Sequence, residues 1–151
     1  MENWPLSRLV VPAAISNMMA LGLLAVAARA PRAARYIIGA GFILAGIFNT
    51  YTALRTPGVY VDAYGPLAIW PYNRFIYGPF ARHAAIFVVA IATGQCASGL
   101  LALLPGRWRR WGLAGAIVFL LAIAGLGWGS AFPATVIMAA AVWLVYRANP
   151  S

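Results

Sequence analysis

The chain has 151 residues, of which 64% are hydrophobic and only 9% charged, whereas a soluble domain carries about 25% charged residues. So few charges cannot cover a water-facing surface, which excludes an ordinary soluble domain and points to a polytopic membrane protein. The net charge of +9 comes from eleven arginines and no lysine, against Glu2 and Asp62. These arginines cluster at the ends of apolar runs, where they contact lipid phosphates and set orientation, so nucleic acid is not an expected partner.

The opening stretch MENWPLSRL has an acid and a tryptophan where a signal peptide carries basic residues, and the first apolar run therefore reads as a retained helix. That run, residues 9–28, has a length that reaches about 30 Å at a rise of about 1.5 Å per residue. Pro12 is expected in its first turn, where a missing N–H costs little. Arg29, Arg32 and Arg35 stop it, and a second run over 36–54 ends at Arg55 and Pro57. A loop over 55–83 leads to a third run, 84–104, closed by the three arginines of PGRWRRW. Residues 112–146 carry no charge, and as one helix they would extend about 52 Å, well beyond a bilayer. Gly125, Gly127, Gly129 and Pro133 in the middle of that stretch predict a turn, which splits it into spans at 112–126 and 131–146.

The expectation is therefore a single all-α membrane domain over 1–151 with five transmembrane helices. Five spans put Arg29, Arg32, Arg35, Arg107, Arg109, Arg110 and Arg147 on one side, and Arg8, Arg55, Arg74 and Arg82 on the other. The positive-inside rule then places the N-terminus outside and the C-terminus in the cytoplasm, with the protein in a bacterial inner membrane. Small residues at four-residue spacing, Gly41 with Ala45, Gly94 with Ser98 and Gly112 with Ala116, are candidates for close helix approach.

Groups that could carry chemistry are few. Two carboxylates sixty residues apart make no acid/base pair, and the lone His83 and lone Cys96 cannot supply a metal site or an internal disulfide. His83, at the start of the third span, could bond a quinone carbonyl or serve as a haem ligand with Met18, Met19 or Met138. Its plainer reading is an interfacial histidine. Asn17 and Asn49 lie roughly 8–12 Å deep by helical rise, with Gln95 somewhat deeper. They either converge with His83 on a pocket for quinone or lipid, or tie helices together. No cofactor is otherwise expected. Asp62 is the sole acid open to an ion pair with Arg74.

The segment IWPYNRFIYGPFARHA, residues 69–84, concentrates Trp70, Tyr72, Phe75, Tyr77 and Phe80 with Arg74 and Arg82. It reads as an aromatic belt at headgroup level with arginines on phosphates, and as a docking surface for lipid, quinone or protein. Pro71 and Pro79 bracket a short segment of one or two helical turns.

The residues RYIIGAGFILAGIFN, PYNR, GQCASGLLALLPGRWRRWG and AFPATVIM together resemble the DoxX-like superfamily of small bacterial integral membrane proteins. The resemblance covers roughly three quarters of the chain from Arg35 onward. It implies a four-helix bundle formed by the second to fifth helices, with the first helix as an extra span. Some members are linked to quinone-dependent sulfur oxidation or oxidative-stress complexes. Relatives often carry an acid in the third helix where this chain has Gln95, which cannot carry a proton at neutral pH. The function expected is that of a non-catalytic accessory subunit docking to a larger membrane complex. The alternatives are a quinone-interacting subunit and a carrier of lipid or small solutes.

Overall fold

The computed structural model describes residues 6–148, with side chains from Val10 onward. The expectations placed on residues 1–5 and on the Arg8 side chain lie outside the described residues. Every regular element described is helical: α1 (Leu6–Arg29), α2 (Pro31–Arg55), α3 (Gly58–Tyr64), α4 (Tyr72–Phe75), α5 (Ala84–Leu103), α6 (Arg107–Ala124) and α7 (Ala134–Ala148). A π-helical turn, Ile76–Phe80, continues α4, and a 3-10 turn, Gly127–Ser130, precedes α7.

Local chemistry explains where these helices begin and end. Pro31 opens α2, where its ring presets the helical φ and its missing N–H is an orphan in any case. Leu104, ahead of Pro105, is extended, as the clash with a following proline ring requires, and this ends α5. Gly106 at φ 65° then turns the chain into α6. Two boundaries differ from the sequence expectation. The first helix begins at Leu6, so Pro12 sits inside it rather than in its first turn. The fourth begins at Arg107 rather than Gly112, because arginine is a good helix former and its long side chain can reach polar surroundings from a helical first turn.

Helices α2, α5, α6 and α7 pack in a closed ring, each against the next, and α1 lies chiefly along α7 with a smaller contact to α2. Chain reversal at each connection makes the ring neighbours antiparallel and runs α1 parallel to α7. One end of the bundle holds Arg29, Arg32, Arg35, Arg107, Arg109, Arg110 and Arg147 (the arginine end). The other holds α3, α4 and the Gly127–Ser130 turn (the loop end). Three helical stretches, Val10–Arg29, Pro31–Arg55 and Ala84–Leu103, are long and apolar enough to cross a membrane. The expected fourth and fifth spans are shorter. Three arginines occupy the start of α6, leaving an apolar stretch of about 20 Å, and α7 extends about 22 Å.

The core is built mostly of alanine. One buried cluster joins Ala27, Ala34, Ile38, Ala102, Leu113, Ala116, Ala139 and Val142 from all five long helices. A second, at the loop end, joins Ala53, Tyr60, Ile76, Phe80, Ala84 and Val88. Side chains this small let the helix backbones approach closely, and the most extensive contact is between α2 and α5. A Cβ added at Gly39 would meet the Leu103 side chain and come within 3.1 Å of the Gly99 carbonyl oxygen. One added at Gly99 would lie 2.6 Å from the Gly39 carbonyl oxygen, and one at Gly46 would strike Cys96.

The spacing argument thus chose the wrong glycines on this pair. Gly41 and Gly94 face open space, whereas Gly39, Gly46 and Gly99 form the contact. The Gly112–Ala116 expectation holds, since both are buried and Gly112 abuts the backbone at Leu101 and Ala102. Replacing Gly99 by leucine should overpack the α2–α5 seam and cost about 1–3 kcal/mol, read as a lowered melting temperature in detergent. Gly94→Leu, on the open side of the same helix, should leave that temperature essentially unchanged.

Candidate functional site

Two features of the bundle are candidates for function: a buried amide node between α2 and α5, and the loop end with its cavities. In the node, the Asn49 Nδ2 donates to Gln95 Oε1 at 2.8 Å. The Tyr60 hydroxyl, brought back by α3, lies 3.1 Å from both the backbone oxygen and the side-chain Oδ1 of Asn49. Gln95 is only 5% exposed and Tyr60 only 7%. By position along α2 and α5, this node falls between the two apolar clusters, next to the Gly46–Cys96 contact. An amide in such a place needs partners, and these three residues supply them to one another. The Cys96 thiol adds a weak donation to the Ile43 carbonyl at 3.7 Å.

The other polar residues of the long helices bond mostly within their own helix. Asn17 Nδ2 donates to the Ala13 carbonyl at 2.8 Å, so it does not join Asn49 and Gln95. Thr50 donates to Gly46 at 2.9 Å and Thr93 to Val89 at 2.8 Å. His83 is exposed at the start of α5; its backbone N–H is bonded to Phe80, while its side chain makes no cap. Met18 and Met19 lie exposed on α1, and Met138 packs on the alanine core from α7. The four expected pocket residues therefore separate. Asn49 and Gln95 meet, Asn17 stays on its own helix, and His83 faces outward.

The aromatic segment also divides. Trp70 and Tyr77 are 71% and 58% exposed, and Phe75, Arg74 and Arg82 are exposed with them. Phe80 is buried with Ile76, four residues earlier on the same face, and stacks at 5.9 Å on Phe87 of α5. Phe80 is thus a core residue and not part of a headgroup belt. Tyr72 fastens the segment to α6: its hydroxyl donates to the Ala122 carbonyl at 2.8 Å, and its ring lies where a Cβ on Gly125 would be. The short helical segment expected between Pro71 and Pro79 is present as α4 and its π-turn.

Asp62 and Arg74 form no ion pair. They line different cavities. Arg74 borders an open hollow of about 330 Å³ with Asn73, Tyr77 and Gly78. Asp62 borders a more enclosed one of about 460 Å³ between α1, α3 and the turn before α7. Sequence reading missed both this cavity and the part played by Tyr60. The available signal for Tyr60 was its place one short turn after the end of α2, within reach of that helix's last polar residues. Among the described residues no three of His, Cys, Asp and Glu come together as a metal site.

Burial pushes the Tyr64 phenol above its usual range, and the neighbouring Tyr60 adds to the rise. Burial likewise raises Tyr60, partly offset by a hydrogen bond with the Thr52 side chain. A raised phenol pKa stabilises the fold below the ordinary tyrosine value of about 10, and this contribution is lost as pH climbs through the raised value. Alkaline absorbance titration should thus resolve a late-ionising pair that is absent from the Tyr60→Phe, Tyr64→Phe double variant.

A double-mutant cycle tests the node itself. Asn49→Ala and Gln95→Ala should each lower stability, with a coupling of about 0.6–1.7 kcal/mol between them. Additive losses in detergent melts would mean that the two amides do not interact.

Compared with protein-family models, with curated proteins and with solved structures, the chain finds no match.

Proposed function

We propose that the chain is a five-span membrane protein and a non-catalytic accessory subunit that docks to a larger membrane complex. The observation that carries this reading is the bonding of the node between elements. Asn49 donates to Gln95 and accepts from Tyr60, bonds that tie α2 to α5 and α3 and favour helix fastening over ligand turnover. Apolar and aromatic side chains at the same time face outward in quantity, among them Leu44, Phe48, Trp70 and Tyr77. Exposed aromatics of this kind are enriched at interfaces and at headgroup level. The quinone reading has less support, because Gln95 is buried at 5% exposure and His83 lies apart from it, exposed at the start of α5.

In this reading α6 and α7 also span, although short. Trp108, Trp111, Trp128 and Trp143 are all exposed and lengthen the pair into the interfacial zone. The arginine end, with seven arginines, faces the cytoplasm, and the loop end faces outward. A DoxX-like relationship accommodates this arrangement, with α1 as the added helix beside the ring of α2, α5, α6 and α7.

Topology and partnership are separately testable. With Cys96→Ala as background, single cysteines at Tyr77 and Trp128 should both label with an impermeant thiol reagent from the same, outer side. Labelling of Trp128→Cys from the opposite side to Tyr77→Cys would reduce the protein to three spans. Purification from its own cell in mild detergent should recover companion membrane proteins in fixed ratio. A colourless monodisperse monomer without companions would contradict the subunit role.

A further inference from the structure

The cavity beside Asp62 has features that a merely structural role does not use. Asp62 is the only carboxylate among the described residues, in a chain with eleven arginines, yet it forms no ion pair among them. It is exposed, on the wall of a space of about 460 Å³, within the range of small-molecule sites at about 300–1,000 Å³. Another wall is Trp128, half exposed. The remaining lining includes Pro12 and Ala13 from α1 and Leu67 from the loop, with the Ser16 hydroxyl as a further polar group. Among the described residues no cationic side chain lines it.

The wall bearing Trp128 is held in place by its two flanking glycines. Gly127, at φ 65°, brings the turn so close to the Leu67 carbonyl oxygen that an added Cβ would sit 2.5 Å from it. A Cβ on Gly129 would come within 3.0 Å of the Ala63 carbonyl oxygen and 2.8 Å of the Tyr64 ring. The turn is thereby clamped to α3, and the indole and the carboxylate are fixed on one cavity.

We propose that this cavity binds a single-tailed amphiphile with an ammonium head, its charge held by the Asp62 carboxylate and the Trp128 ring. Charge complementarity selects the head. A carboxylate attracts a cation, an indole face attracts a quaternary or primary ammonium, and no arginine among the described wall residues competes. That absence of cations among the described lining residues disfavours a zwitterionic phospholipid, whose phosphate would find no partner among them. Pro12, Ala13 and Leu67 offer an apolar path for the tail. This site is at the loop end and does not depend on the subunit role proposed above.

The test is saturation binding of radiolabelled dodecyltrimethylammonium to the protein in phosphatidylcholine nanodiscs, with empty nanodiscs subtracted. One saturable site is expected, and Asp62→Asn should weaken it about two- to fivefold. Because Asp62 is exposed, that variant keeps the fold. Asp62→Glu should retain binding, and Trp128→Leu should weaken it several-fold. Neither dodecanol nor lysophosphatidylethanolamine should displace the probe at matched concentration. Binding that does not saturate, or that is unchanged in Asp62→Asn, would overturn the proposal. Displacement by lysophosphatidylethanolamine would overturn it in favour of a phospholipid site.

Discussion

The close approach of α2 to α5 is the constraint on which the rest of the bundle depends. Gly39, Gly46 and Gly99 bring the two backbones together without intervening side chains, and only at such separation can the short Asn49 side chain reach Gln95. In lipid there is little hydrophobic drive between helices, so packing of small residues and interhelical hydrogen bonds decide which surfaces meet. The amide node adds direction to that packing. It specifies one register between α2 and α5, because a slip of one residue along either helix separates the two amides by about 1.5 Å and rotates them apart. Buried polar groups used in this way fix arrangement more than they add stability.

The loop end follows from that seam. Tyr60 reaches the node from α3, so the chain leaving α2 must fold straight back over the top of the bundle. Phe80 and Ile76 then seat the π-turn on α5, and Tyr72 ties the start of α4 to α6. What remains outside, Trp70, Phe75, Tyr77, Arg74 and Arg82, is the side of the segment not consumed by these contacts. The cavity at Asp62 lies where this cap meets α1.

Much of the architecture was legible in the residues. Arginine clusters and prolines marked the ends of the long helices, and the glycine-rich GLGWGSAFP correctly predicted the break between α6 and α7. Asn49 and Gln95 were also legible as amides in apolar runs that need partners, though Asn17 carried the same signal. Other features were hidden for identifiable reasons. Four-residue spacing of small side chains is satisfied by many pairs in an alanine-rich chain, and it cannot tell Gly41 from Gly39 without knowing which face of α2 meets α5. Asn17 resembles Asn49 in sequence yet bonds its own helix, a choice set by what packs beside α1. The aromatic segment looked uniform, but Phe80 and Tyr77 differ in helical phase, which a π-turn shifts away from the regular period. The groove at Asp62 joins three elements far apart in the chain, so no local pattern announces it.

The central claim, that a hydrogen-bonded amide pair registers α2 against α5, is most directly tested by solid-state NMR in lipid bilayers. With the asparagine side-chain amide labelled in 15N and the glutamine carboxamide in 13C, the chain offers a single glutamine, Gln95. A dipolar cross-peak between the Asn49 Nδ2 and the Gln95 carboxamide carbon is predicted, and it should vanish in Asn49→Ala. Its absence in the unmodified protein would show that the two helices are not registered by this pair and would contradict the account.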